Sequence, residues 1–291
     1  MHIVRTFDES ALTTPLGYSG GHSEGYGRAS LIDQMVAGCV HTGIGICQLE
    51  PDGLLAPHVH SYEEAFYILE GEVLAGIDGR HYRFGPGDYG IIPMGQLHAW
   101  RNVGSTRVRW HETVSPQPRP AGHPEPDTFF MPGSAPTDGE PPDLADPLTR
   151  CLGHFDLSLL PPPSQLQMDG YRGDSVQGIS LKMMVDRLLG AQHLTTFMVQ
   201  FQPDGAGNVH DHPLEETYFF LSGEAKGILD GQTYQVKAGD FVWTSVGGTH
   251  GFFTTGSEPV RWLETQAPQP PFQNAFRFNA PWHYLAEKLK K

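Results

Sequence analysis

The chain carries one sequence pattern twice, in register and without a gap, and this repeat limits the possible fold more than any other feature. The segment Gln48–Gly53 (QLEPDG) returns as Gln200–Gly205 (QFQPDG), and Val108–Thr113 (VRWHET) returns as Val260–Thr265 (VRWLET). Both pairs are 152 residues apart, 48 to 200 and 108 to 260. Self-similarity at one fixed offset is typical of a duplicated structural unit. We therefore predict two copies of one domain in tandem.

Each copy consists of short apolar or aromatic segments divided by glycine-containing turns. Asp78-Gly79 and Asp230-Gly231 each lie between two such segments, and Asp-Gly in this setting favours a two-residue hairpin. Closely spaced antiparallel strands indicate an all-β fold, either a barrel or a double-sheet jelly roll. Two segments, 28–37 and 180–189, are the helix candidates within the copies.

The predicted domain limits follow the repeat and the composition between its copies. Residues 1–115 form the first barrel and 151–270 the second, with a Pro/Gly-rich linker over 116–150 that has extended, polyproline-like pieces. Residues 271–291 form a tail in which we expect a short amphipathic helix, because Trp282, Leu285 and Leu289 fall roughly on one helical side.

The charge balance excludes some partners. The chain has 19 Lys and Arg against 33 Asp and Glu, a formal net charge of −14, which opposes binding to nucleic acid. No apolar stretch is long enough to span a membrane, and the first residues lack a secretory pattern. Three scattered cysteines, Cys39, Cys47 and Cys151, do not make a disulfide framework. These features predict a cytoplasmic protein with a small-molecule substrate.

Histidines and glutamates fall at identical spacing in both copies. His58 and His60 are two residues apart and point to the same face of a strand. Glu64 follows after a short turn, and His98 comes further along the chain. Three imidazoles and one carboxylate on one face of a small barrel suit a divalent metal and leave coordination positions open. The eight predicted ligands are His58, His60, Glu64 and His98, and His210, His212, Glu216 and His250.

Strand alternation predicts the walls of the two pockets. It puts Phe66 and Ile68 on the face of Glu64, and Tyr218 and Phe220 on the face of Glu216. Apolar walls around a polar metal suit a carbon-rich ligand. Alternatively, these side chains are barrel core without a role in binding.

Two residues differ between the copies in a way that predicts catalytic roles. Tyr218 adds a hydroxyl that Phe66 lacks, and His111 is replaced by Leu263 in the second copy. If His111 faces inward, it is a candidate base or substrate hydrogen-bonding group. If it faces outward, it has no part in the chemistry.

The spacings resemble the two motifs of the cupin superfamily. The first motif is matched by Gly53 and His58-x-His60-x3-Glu64-x6-Gly71, and the second by Gly87-x5-Pro93-x-Gly95-x2-His98-x3-Asn102. The second copy keeps all the ligands but has Ser245 and Thr254 where the family motif has Pro and Asn. The resemblance implies a bicupin of two double-stranded β-helix barrels. It also implies one divalent metal per barrel, commonly Fe(II) or Mn(II) and sometimes Ni, Cu or Zn, and a homodimer.

Three functions remain open at this point. A metal-dependent oxygenase acting on a small aromatic or enolisable substrate is favoured, and the bicupin dioxygenases that cleave flavonols, such as quercetinase, resemble the ligand set and pocket character. A redox-neutral lyase, decarboxylase or hydrolase is the alternative. Oxalate decarboxylases resemble this layout, but the arginine they carry three residues before the first ligand is Leu55 or Gly207 here. A non-catalytic binding protein is the third possibility.

Overall fold

The computed structural model describes residues 1–120, 123, 126–163, 176–269 and 277–278. The chain forms two compact units, and each has its own ten-stranded curled sheet. The N-terminal unit comprises Phe7–Asp156 and Met184–Leu194, and the C-terminal unit comprises Met1–Thr6, Leu157–Met183 and Thr195–Lys291. The predicted all-β pair of jelly-roll barrels is confirmed. The exact domain limits stay a prediction.

The N-terminal sheet has the strand order β11-β7-β4-β9-β3-β8-β5-β6, with β2 and β10 also paired to β3. Its strands are β2 (Ser23–Ile32), β3 (Gly43–His60), β4 (Glu63–Glu70), β5 (Val73–Ile77), β6 (Arg80–Phe84), β7 (Asp88–Ile92), β8 (His98–Arg101), β9 (Val108–Ser115), β10 (Thr128–Phe130) and β11 (Leu152–His154).

The C-terminal sheet repeats this order as β1-β17-β14-β19-β13-β18-β15-β16, with β12 and β20 paired to β13. Its strands are β1 (His2–Thr6), β12 (Val176–Val185), β13 (Thr195–Asp211), β14 (Glu215–Ser222), β15 (Glu224–Leu229), β16 (Gln232–Lys237), β17 (Asp240–Thr244), β18 (His250–Thr254), β19 (Val260–Ala267) and β20 (Arg277–Phe278). Three short 3₁₀ helices lie at Glu9–Ala11, Pro147–Thr149 and Leu157–Leu159.

The two Asp-Gly dipeptides form the predicted hairpin turns. Asp78 and Gly79 have φ of 50° and 77°, and Asp230 and Gly231 have φ of 45° and 79°. A type I′ turn needs a positive φ at both central residues, which Asp and Gly tolerate best. The turns join β5 to β6 and β15 to β16 directly.

The helix predictions over 28–37 and 180–189 are wrong. Residues up to Ile32 belong to β2, and residues up to Val185 belong to β12. Ala, Leu, Lys and Met favour helices weakly, but pairing along β3 and β13 decides the conformation of these segments. The predicted helix in the tail lies outside the described residues.

Part of the Pro-rich segment after the first copy is a strand and belongs to the first barrel. Thr128–Phe130 pairs antiparallel with His58–His60, with Thr128 opposite His60 and Phe130 opposite His58. Asp127 fastens this strand, because it accepts hydrogen bonds from the Ser61 hydroxyl and from the Arg119 guanidinium. The segment therefore lies directly against two of the predicted ligands.

In the described part of the chain, no helix is long and apolar enough to cross a membrane.

Candidate metal centres

Three predicted ligands meet in the N-terminal unit because two strands pair there. His58 and His60 end β3, His98 begins β8, and His58 and His98 are direct antiparallel partners. All three side chains are buried, and one nitrogen of each lies within 4.8 Å of the others. Pairing across the sheet thus closes the distance between residues 38 to 40 positions apart in sequence.

The C-terminal unit brings four predicted ligands together in the same way. His210 in β13 is the partner of His250 in β18, His212 follows the end of β13, and Glu216 lies in β14. One ligand atom from each of these four buried residues lies within 4.8 Å of all the others.

In four of the six histidines, the ring hydrogen bonds occupy Nδ1 and leave Nε2 to the cluster. The Nδ1 atoms of His58, His98, His210 and His250 each donate to the backbone carbonyl two residues earlier, at 2.7 to 2.9 Å. A neutral imidazole that donates through Nδ1 keeps a lone pair on Nε2.

The inward nitrogens fit a metal better than they fit a protein partner. The Nε2 atoms of His98 and His250 are buried and form no hydrogen bond of acceptable geometry in the described structure, although His250 Nε2 lies 2.9 Å from Glu216 Oε2. Buried polar atoms nearly always have a partner, so an unpaired nitrogen in each cluster calls for one. Metal-ligating histidines typically donate their other ring N–H to a carbonyl or carboxylate, as these do. Each cluster can therefore hold a divalent metal.

Burial sets the protonation of the imidazoles. It lowers the pKa of His60 to about 4 and that of His210 to about 3, and lowers the pKa of His58 well below its usual range. Burial also opposes the charge of His212, but the adjacent Glu216 carboxylate outweighs it and raises the pKa of that ring. Burial thus favours the neutral, metal-binding form of His58, His60 and His210, whereas Glu216 favours the protonated form of His212 in the absence of a metal.

The two glutamates are held differently. In the C-terminal centre, Glu216 accepts hydrogen bonds from Tyr218 Oη and Gln266 Nε2, both at 2.5 Å, and from His212 Nε2 at 2.7 Å. The equivalents of Tyr218 and Gln266 in the first copy are Phe66 and Val114, which cannot donate. The carboxylate of the C-terminal centre is therefore oriented by two side chains that the N-terminal centre lacks.

In the N-terminal centre, Glu64 lies at the edge of the histidine cluster. Its Oε2 atom is 3.1 Å from His60 Nε2 and 3.6 Å from His98 Nε2, and it is not among the atoms that all lie within 4.8 Å of one another. Burial alone would raise the pKa of Glu64, but the adjacent rings of His60 and His98 lower it well below its usual range.

Removing the Tyr218 hydroxyl should weaken the C-terminal centre selectively. Tyr218→Phe copies the residue that the first barrel already carries at this position, so the fold should tolerate it. Loss of a hydrogen bond to a ligand typically lowers metal affinity about 10- to 100-fold. Competition with a chromophoric chelator, in a chain whose N-terminal centre is removed by His98→Ala, measures this. An unchanged affinity would mean that Tyr218 does not orient Glu216.

Thr128 performs a similar task in the N-terminal centre. Its hydroxyl lies 3.0 Å from His60 Nδ1 and is the acceptor for that ring N–H. We expect Thr128→Val to lower the metal affinity of the N-terminal centre about 10- to 100-fold, and Thr128→Ser to restore most of it. The same competition assay in a His250→Ala chain tests this, and equal affinities of the Val and Ser variants would contradict it.

A small cavity opens directly onto the C-terminal cluster. Among its lining residues are His210, Glu216 and His250, together with Tyr218 and Glu264. The cavity volume is about 30 Å³, so only a compact ligand suits it. The rest of the wall is mostly apolar, formed by Ile179, Leu181, Phe197, Val199, Phe201, Phe252 and Trp262.

Glu264 is a buried carboxyl that the sequence analysis did not assign. It accepts a hydrogen bond from Trp262 Nε1 at 2.8 Å. Burial, and then the nearby Glu216 carboxylate, raises the pKa of Glu264 well above its usual range. Its recurrence as Glu112 in the repeated VRW-x-ET segment was the signal that could have identified it.

The candidate catalytic residue His111 is not brought to either cluster. Trp262 and Glu264 line the C-terminal cavity whereas Leu263 between them does not, and Leu263 is the equivalent of His111. Successive residues of a strand point to opposite faces, so His111 lies on the face away from the metal ligands. Its side chain is buried there, and burial lowers its pKa to about 3.

The predicted pocket residues lie in the barrel cores. Phe66 and Ile68 belong to the apolar cluster around Trp100 in the N-terminal unit, and Phe220 belongs to that around Trp262 in the C-terminal unit. None of the three lines the two described cavities, whereas Tyr218 does. Their surroundings therefore match the alternative prediction, that these three side chains are part of the barrel core.

The model of the Cupin domain family matches residues 45–114 and 197–265, which are the two segments that contain the clusters. The chain belongs to the cupin superfamily. Because both barrels match, it is a bicupin. A curated relative, the polyketide synthase CurC of Streptomyces cyaneus, is 29% identical over 97 residues, 32% of this bicupin and 63% of the relative.

Solved structures of two enzymes share the fold of this bicupin along most of its length. Salicylate 1,2-dioxygenase of Pseudoaminobacter salicylatoxidans, in an adduct with gentisate, gives a TM-score of 0.69 at 15% identity, over 91% of this chain and 81% of that one. Oxalate decarboxylase of Lactobacillus farciminis, in a formate complex, gives 0.65 at 16% identity, over 99% and 93%. At such identities the likeness establishes the fold.

Proposed function

We propose that this bicupin is a metal-dependent oxygenase that acts on a compact, enolisable substrate at its C-terminal centre. The observation that carries the proposal is the C-terminal cavity, in which three of the four ligand side chains meet an apolar wall. An apolar enclosure with a few convergent polar groups is the usual form of a small-molecule site. Its limited volume favours an enolisable compound of few heavy atoms over a larger aromatic one.

The residues of the chain have distinct tasks in this proposal. Iron(II) or manganese(II), the ions we propose, would supply Lewis acidity and one-electron chemistry with dioxygen. Tyr218 and Gln266 hold the Glu216 carboxylate in one orientation. The apolar wall, with Phe197 and Phe252, keeps bulk water from an enolate, which strengthens its electrostatic contacts in the cavity.

Oxygen uptake by the metal-loaded full-length chain tests the proposal. We expect saturable consumption of dioxygen with pentane-2,4-dione or a related 1,3-dicarbonyl, and weaker consumption with catechols. The proposal fails if a fully metallated sample consumes no oxygen with any enolisable diketone or aromatic compound.

A redox-neutral lyase or decarboxylase is the second candidate, and Glu264 favours it. This carboxyl lines the same cavity beside Glu216 and is suitably located to deliver a proton to a carbanion. The two functions differ in their need for oxygen. Carbon dioxide release under anaerobic conditions, at the aerobic rate, would support the lyase and exclude the oxygenase.

The homodimer and the cytoplasmic location stay predictions.

A further inference from the structure

The N-terminal barrel contains an arginine whose guanidinium is only partly used by the protein. Arg28 lies in β2, and its Nε donates to Glu112 Oε2 at 2.5 Å. The side chain is 19% exposed. Within the described residues, its two Nη groups have no hydrogen-bond acceptor, although an arginine offers five donors in a fixed fork. The end of the fork formed by Nη1 and Nη2 is therefore available to a ligand.

The backbone beneath this guanidinium is built to receive it. A Cβ atom at Gly45 would lie 2.7 Å from Arg28 Cζ and 2.8 Å from Nε, closer than atoms can approach. Any residue other than glycine would displace the guanidinium from this position. The absence of a side chain at Gly45 thus allows the Arg28 guanidinium to lie directly against the backbone, which fixes its plane.

The second barrel lacks both parts of this arrangement. The glycines with positive φ in β2 and β12, Gly25 and Gly178, are 153 residues apart, so Leu181 is the structural equivalent of Arg28. β13 begins 152 residues after β3, so Phe197 is the equivalent of Gly45. The cation and the glycine beneath it are replaced together by two apolar side chains that line the C-terminal cavity. The two barrels therefore offer different chemistry to a ligand at the same place.

Arg28 forms part of the wall of a pocket in the N-terminal unit. The pocket volume is about 540 Å³, and the wall includes the aromatic rings of Tyr18, Tyr62 and Phe130. Tyr62 stacks on His60 with ring centroids 4.3 Å apart, so the pocket adjoins the metal cluster through its wall. Such a wall suits a planar, carbon-rich ligand body.

The other charges of the pocket limit the charge of the ligand. Arg119 pairs with Asp127, and Asp33 accepts a hydrogen bond from Ser30 at 2.6 Å. With Glu112, three carboxylates thus line the pocket, and they would repel a polyanion. The Nη end of Arg28 can satisfy a single carboxylate with two parallel hydrogen bonds.

We infer that the N-terminal pocket binds a small aromatic monocarboxylate, whose carboxylate accepts hydrogen bonds from Arg28 Nη1 and Nη2 while its ring packs against Tyr18, Tyr62 and Phe130. The binding site is independent of the proposed reaction at the C-terminal centre. It also explains why Gly45 and Arg28 occur together in one barrel and neither occurs in the other.

Fluorine NMR with 4-fluorobenzoate tests the inference on the full-length, metal-loaded chain. The matched neutral probe is 4-fluorobenzamide, which has the same shape and no charge. We expect saturable binding of the benzoate, with the benzamide weaker by about 30-fold or more, because loss of a hydrogen-bonded charge partner has an effect of this size.

Three variants identify the residues. Arg28→Leu combined with Glu112→Gln removes the cation without leaving a buried carboxylate unpaired, and it should lose binding about 30-fold or more. Gly45→Ala should weaken benzoate binding by displacing the Arg28 guanidinium. Arg28→Lys should retain only part of the binding, because an ammonium group cannot donate two parallel hydrogen bonds. Arg80→Gln is the control and should bind like the wild type, because Arg80 pairs with Asp146 in the same unit and does not line the pocket. Circular dichroism and the metal content identify a variant that has not folded.

Two outcomes would overturn the inference. One is equal affinity for the benzoate and the benzamide. The other is benzoate binding that survives in the folded Arg28→Leu/Glu112→Gln chain, as it would if the carboxylate bound to a metal. Neither outcome bears on oxygen uptake at the C-terminal centre, so this inference and the proposed function can fail separately.

Discussion

Replacing His250 with alanine should abolish oxygen consumption and remove one of two metal ions per chain. His250 supplies one of four ligand atoms that lie within 4.8 Å of one another, and its Nε2 forms no hydrogen bond of acceptable geometry in the described structure. A bound metal supplies several kcal/mol of transition-state stabilisation. We therefore expect kcat/KM to fall by about 1000-fold or more. Elemental analysis of the purified chain and an oxygen electrode measure the two effects.

The duplicated chain supplies its own control for this experiment. His98→Ala removes the equivalent ligand of the N-terminal centre and should also reduce the metal content by one. If the C-terminal centre is the oxygenase site, most of the activity should survive in this variant. Loss of activity in His98→Ala and its retention in His250→Ala would assign the reaction to the N-terminal centre instead.

Replacing Glu63 with alanine should destabilise the N-terminal unit by about 1–3 kcal/mol, although Glu63 is not one of the clustered metal-ligand candidates. Its side chain is 1% exposed and accepts three backbone hydrogen bonds, from the N–H groups of Gln192, His193 and Leu194 at 2.7 to 2.9 Å. Alanine would leave these donors without their acceptor, and a buried unsatisfied donor costs about 1–3 kcal/mol. Urea unfolding of the metal-free chain, which avoids the contribution of metal binding, measures the change.

Glu63→Gln separates the loss of charge from the loss of acceptors. The amide keeps one carbonyl oxygen but replaces the other acceptor by a donor, so we expect a loss of stability between those of the wild type and alanine variants. A further readout is proteolysis, because the segment that Glu63 holds should become susceptible in the alanine variant. A change in the free energy of unfolding below about 1 kcal/mol for Glu63→Ala would contradict the role assigned to these bonds.

The sequence was sufficient to identify the repeat, the all-β fold and the candidate ligands, for local reasons. A period of two along a strand puts His58 and His60 on one face whatever the rest of the chain does. Asp-Gly between apolar segments favours one turn type, and both turns occur. Local propensity was misleading at 28–37, because pairing with β3 outweighs the preference of Ala and Leu for helix.

Only the tertiary structure revealed how the two centres differ. Tyr218 was recognisable as an added hydroxyl, but its bond to Glu216 depends on side-chain positions that no spacing encodes. The position of His111 in β9 turns its side chain away from the metal ligands, and the residue type alone does not reveal this. Arg28 and Gly45 lie on two different strands, β2 and β3. The repeat offset is 153 residues for β2 and 152 for β3, so a single offset does not align both residues with their equivalents in the second barrel.

What the sequence determined by itself was therefore the set of groups that repeat, because a duplication preserves residue types and spacings. What the tertiary structure decided was the set of neighbours around each group. Strand pairing brings Thr128 to His60 and Gln266 to Glu216. Side chains from distant segments meet only when the sheets curl, and their contacts fix the orientation of Glu216 and leave the fork of Arg28 partly open to a ligand.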